Sequence, residues 1–127
     1  MNSQTRQTLW IGFGLLGLAV LLGAFGAHGL KNFVTPEKLV TFETGIRYHF
    51  YHAFGVVLLG LIQHLFPTLK VKTPLILFYL GILLFSFNCY IYVLTGMKIF
   101  AMIVPLGGTS FMLGWFLLAW HVHRFRN

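Results

Sequence analysis

The chain has no aspartate, and its acidic residues are two glutamates, Glu37 and Glu43, among 127 residues. Charged residues make up 9% of it, whereas a soluble domain carries about 25% to cover its surface. That shortage excludes a water-soluble globule, so hydrocarbon must solvate most of the outside. The one cysteine, Cys89, has no partner for an internal disulfide and says nothing about redox compartment. Proline is scarce as well, and three of its four copies, Pro36, Pro67 and Pro74, fall between apolar runs.

What is present is long apolar sequence, 57% hydrophobic overall. A spanning helix needs about 20 mostly apolar residues, and four windows supply them: Leu9–Ala27, Tyr48–Phe66, Leu75–Leu94 and Ile99–Trp120. Short polar connections separate them. The expected fold is all-α: one integral membrane domain over residues 1–127, a four-helix transmembrane bundle. The first run is longer than the core of a signal peptide and is expected to remain as an uncleaved span.

Nine lysines and arginines give a net charge of +7. They sit singly or in pairs at helix ends, without the basic, aromatic-interleaved stripe that binds nucleic acid. Lipid headgroups are the expected partner, and nucleic acid is not. Arg6, Lys70, Lys72, Arg124 and Arg126 lie on the side of the termini, and Lys31, Lys38, Arg47 and Lys98 on the other. Five against four leans to cytoplasmic termini and leaves dual topology open.

Both glutamates fall in one polar stretch, Gly23–Gly55. Gly29 reads as a left-handed cap ending the first helix. Thr35 and Pro36 read as the N-cap and first position of the next. A helix running unbroken from Pro36 to Phe66 would be about 46 Å long against a hydrocarbon core of about 30 Å. A short amphipathic helix before the second span, bending at Gly45, is therefore expected, with Leu39, Phe42, Ile46 and Phe50 on one face. Glu43 and Arg47, four apart, stand at the membrane boundary. His28, Glu43, Arg47 and His52 form the candidate polar cluster. The sequence favours a structural clasp in which Arg47 bonds Glu43, helix-end carbonyls or a lipid phosphate.

Histidines are expected at the interface, satisfied by water or backbone, and His49 and His52 lack a thiolate or Asp partner for a metal or haem. No catalytic, cofactor-binding or metal residue is assigned. Small residues at four-residue spacing mark helix packing: Ala19, Gly23 and Ala27 in the first helix, Ser110 and Gly114 in the fourth, with Gly107 and Gly108 beside them. The same spacing admits a homo-oligomer.

The segments "GAFGAHGL", "TPEKLVTFETGIRYHFYHA", "LTG" and "PLGG" followed by "LGW" resemble the small bacterial inner-membrane family typified by YgdD and YwdK, a domain of unknown function with distant eukaryotic relatives. The likeness runs from about Gly23 to Trp115. It implies that Gly26, His28, Glu43, Gly45, Arg47, Tyr48, His52, Pro105, Gly107 and Gly108 belong to the family's signature, and that the protein lies in a bacterial plasma membrane with no established enzymatic activity. Three function classes compete. The expected one is a non-catalytic membrane protein supporting envelope integrity or organising lipids or partners. The alternative is a small ion or solute channel or transporter acting as an oligomer. An enzyme comes last, for want of a nucleophile–base pair.

Overall fold

The computed structural model describes residues 1–126, and within them every regular element is helical. There are four rods among the described residues. Helix α1 spans Ser3–His28. A 3₁₀ turn, Leu30–Asn32, leads to α2, Pro36–Leu65. The third rod is composite: α3, Lys72–Gly81, passes through a π-helical turn, Ile82–Phe87, into α4, Asn88–Thr95. The last rod is α5, Lys98–His123.

Local chemistry explains the ends. Asn2 Oδ1 accepts from the Thr5 amide at 2.7 Å and caps α1. Thr35 Oγ1 accepts from the Lys38 amide at 3.3 Å, with Pro36 in the first turn of α2, where its missing N–H removes one orphan donor. The left-handed glycine is Gly96, at φ 71°, which turns α4 into α5. Gly29 does end α1, but at φ −112° and ψ −56°, a right-handed geometry. Its amide bonds the Phe25 carbonyl at 2.8 Å, so the helix closes into the 3₁₀ turn without needing a left-handed residue.

Three rods, Ser3–Asn32, Lys72–Thr95 and Lys98–His123, are long and apolar enough to cross a membrane. At 30 residues α2 is the longest single helix, yet it is not among these three. Tyr48, His49, Tyr51 and His52 dilute its apolar run. Nor does α2 break at Gly45, and no separate amphipathic helix precedes it. Gly45 is buried because a Cβ there would stand 2.9 Å from both Cys89 Cβ and the Tyr90 ring. Glycine here serves close approach, and the helix runs unbroken through the expected bend.

The rods pack side by side in the order α1, α2, third rod, α5, with α1 resting chiefly on α2. One apolar cluster, Val56, Leu59, Leu69, Val71, Phe78 and Leu118, fills the end near the termini. A second, Leu30, Phe42, Tyr90 and Val93, fills the other. Large apolar side chains cover the outside, among them Trp10, Leu21, Phe54, Leu65, Leu106 and Phe116, as hydrocarbon solvation requires.

Glycines join the rods mostly by making room for rings. Gly26 receives Phe42, Gly55 and Gly114 receive Phe78 from opposite sides, and Gly81 receives Phe111. Gly107 meets backbone directly: a Cβ there would collide with the Phe85 amide nitrogen and the Leu84 carbonyl carbon of the π turn. Of the expected packing stripe, Ala19 is fully buried, whereas Ala27 is exposed and Gly26 occupies the contact. Ser110 Oγ donates to the Leu77 carbonyl at 2.7 Å, tying α5 to α3. Gly107→Ala is expected to destabilise the fold by about 1–3 kcal/mol through overpacking. Gly14→Ala, where nothing lies within 4 Å of the new Cβ, is expected to gain about 0.5–1 kcal/mol from helix propensity. Unfolding in mixed micelles compares the two, and equal effects would contradict this packing.

Candidate functional site

The polar residues of α2 divide between two faces. At 30 residues and 1.5 Å per residue α2 is about 45 Å long. If α2 crossed a core about 30 Å thick with Leu65 at one edge, the other edge would fall about 20 residues back, near Ile46. Glu43 and Arg47 bracket that level.

His52 points inward. It is 3% exposed, and its ring lies flat on Phe111 of α5, centroids 3.4 Å apart and planes 9° apart. Trp115 Nε1 donates to His52 Nε2 at 3.0 Å. An indole N–H only donates, so Nε2 is the acceptor and the proton sits on Nδ1. Nδ1–H then donates to the Tyr48 carbonyl at 2.7 Å. Phe78 meets the ring edge-on at 5.3 Å and packs tilted against Trp115 at 4.6 Å. Tyr48 covers Phe85 at 4.7 Å. An aromatic nest with one fully bonded imidazole thus joins α2, the third rod and α5.

His49 is 0% exposed and faces another neighbour. Its Nδ1 lies 2.9 Å from Tyr90 Oη on α4. Its Nε2 is buried without a hydrogen bond, as is Ser86 Oγ in the π turn. Both histidines are therefore core residues, contrary to the interfacial placement expected from sequence. One turn along a helix sends their rings to different rods, and among the described residues no three His, Cys, Asp or Glu side chains gather in a ligand-like group.

The candidate cluster does not assemble as one group. His28 is exposed at the end of α1, and His52 is enclosed against α5. Glu43 and Arg47 do come together, with Gly23, Gly26, Ala27, Phe42 and Ile46, around a groove of about 290 Å³ between α1 and α2. Both are exposed. Arg47 Nη2 donates to Thr44 Oγ1 at 3.2 Å rather than to Glu43, and Thr44 in turn donates to the Val40 carbonyl at 2.9 Å. Of the partners the expected clasp gave Arg47, neither Glu43 nor a helix-end carbonyl is bonded among the described residues, which leaves the lipid phosphate. Cys89 is buried and free.

Sequence reasoning missed Phe78, Phe111 and Trp115 as partners of His52. The available signal was aromatic abundance beside glycines: 14 Phe and 14 Gly in 127 residues. It also missed the π turn, whose trace is Asn88, with Nδ2 donating to the Leu83 carbonyl at 3.1 Å.

The model of a family described as protein of unknown function (DUF423) matches residues 22–108, a stretch that includes the groove, both buried histidines and the π turn. The chain belongs to the DUF423 family. The UPF0382 membrane protein YwdK of Bacillus subtilis is 39% identical over 102 residues, covering 80% of this chain and 83% of the relative. A UPF0382 membrane protein of Haemophilus influenzae is 36% identical over 104 residues, covering 80% and 81%. No solved structure matches. The resemblance to YwdK-like proteins thus holds, and like its DUF423 relatives the chain is a membrane protein of uncharacterised function.

Two outcomes separate the two polar groups. Trp115→Phe and His52→Phe are expected to show a coupling of about 0.6 kcal/mol, the usual size of an interhelical hydrogen bond in a bilayer, in a double-mutant cycle on unfolding. Arg47→Gln and Glu43→Gln are expected to unfold within about 0.5 kcal/mol of wild type, as exposed substitutions do.

Proposed function

We propose that this protein is a four-span bacterial inner-membrane protein with cytoplasmic termini that acts without catalysis, organising lipid around it and so supporting envelope integrity. One observation carries the reading. His52 is fully engaged in holding rods together, while the carboxylate–guanidinium neighbours Glu43 and Arg47 on α2 stay exposed on a groove, which lies at headgroup depth if α2 is the fourth span. Polar chemistry left over from folding faces the lipid. Counting α2 as the fourth span is supported by the inward turn of its histidines, which leaves Phe54, Leu58, Leu61 and Leu65 on the outside.

The experiment compares a strain lacking the protein with complemented strains. Uptake of a small membrane-impermeant dye is expected to rise in its absence and to return to normal with wild type or Cys89→Ser. Arg47→Gln is expected to accumulate normally but fail to restore the barrier. Proteoliposomes of the purified chain are expected to hold potassium and proton gradients as well as protein-free vesicles. Collapse of either gradient would replace this reading with the oligomeric channel.

A further inference from the structure

The groove between α1 and α2 carries two opposite charges that do not neutralise each other. Glu43 and Arg47 are one helical turn apart, a spacing of about 5–6 Å, and both line the same concavity. Arg47 uses one donor on Thr44, leaving the rest of a five-donor fork for a phosphate. Glu43 is an acceptor that wants a cation with N–H groups. The floor is cleared by small residues: a Cβ on Gly23 would meet only Ile46 Cγ2, at 3.7 Å, and Ala27 is exposed.

We propose that this groove is a binding site for a zwitterionic aminophospholipid, its phosphate on Arg47 and its primary ammonium on Glu43. This rests on the lipid-organising reading above and adds the headgroup to it. Charge complementarity selects the occupant. An anionic glycerol headgroup would meet Arg47 but face the Glu43 carboxylate with no positive charge. A choline headgroup has no N–H to give Glu43, and recognition of quaternary ammonium uses a cage of aromatic faces. Phe42 is the only aromatic residue of this groove, and its ring is 1% exposed, packed against Gly26 and Tyr90. About 290 Å³ suits a headgroup better than a whole lipid, which leaves the acyl chains in the bilayer. With α2 as the fourth span, Ile46 stands at the hydrocarbon edge, beside the phosphate layer.

The test is binding of dioctanoyl phosphatidylethanolamine, phosphatidylcholine and phosphatidylglycerol to the full chain in detergent micelles, read as the shift in melting temperature along a titration. Phosphatidylethanolamine is expected to bind about tenfold more tightly than either other lipid, equivalent to about 1.4 kcal/mol. Glu43→Gln should bring phosphatidylethanolamine down to the level of phosphatidylcholine. Arg47→Gln should weaken all three. Ala27→Leu should fill the groove and weaken phosphatidylethanolamine while leaving the lipid-free melting temperature unchanged. Equal binding of the three by wild type, tightest binding of phosphatidylglycerol, or a preference that survives Glu43→Gln or Ala27→Leu would overturn the proposal. Any of these alongside an intact dye-barrier phenotype would remove the headgroup assignment and leave the lipid-organising role standing.

Discussion

Hydrocarbon offers no hydrogen bonds, so a polar side chain placed inside it must find its partner within the protein. The architecture follows from how α2 meets that demand. Its central turns carry two histidines and two tyrosines, which dilute its apolar run. His52 resolves the conflict by receiving the Trp115 indole proton on one nitrogen and giving its own to the Tyr48 carbonyl. That arrangement requires α5 to lie against α2 at Trp115 and Phe111. It also requires the third rod to stand close enough for Phe78 to wall the ring. His49 meets half of the same demand through Tyr90 on α4, its Nε2 staying buried and unbonded. The polar residues of α2 are what hold the other rods in register.

Glycine makes this convergence sterically feasible. Rings as large as Phe78 and Phe111 fit between helices because Gly55, Gly81 and Gly114 present no side chain to them. The π turn adds its own contribution, since Gly107 seats α5 directly on the Leu84–Phe85 backbone there. With α5 and the third rod gathered around one flank of α2, α1 is left to cover the other. It does so with small residues, and the groove they leave beside Glu43 and Arg47 is a consequence of the same packing that orders the interior.

Much of this was legible in the sequence. Apolar windows and breakers located the rods, Thr35-Pro36 marked the start of α2, and Gly96 lay within the turn before α5. Three features were not legible, each for a physical reason. Gly45 looks like a hinge in a helix too long for the bilayer, but glycine also serves close packing, and only the position of Cys89 and Tyr90 reveals which. The histidines looked interfacial because imidazole is polar; nothing local tells that a tryptophan 63 residues later supplies the matching donor. Glu43 and Arg47 have the spacing of an ion pair, yet Arg47 bonds the Thr44 hydroxyl instead, and an exposed i,i+4 ion pair is worth only about 0.3–0.5 kcal/mol.

The most direct test of the central role given to His52 is its tautomer in a lipid bilayer, read from the ¹⁵N shifts of the labelled imidazole at neutral pH. The expected result is one species protonated on Nδ1, with Nε2 accepting from the Trp115 indole and that signature lost in Trp115→Phe. An Nε2-protonated ring, or a mixture of tautomers indifferent to Trp115, would contradict the account.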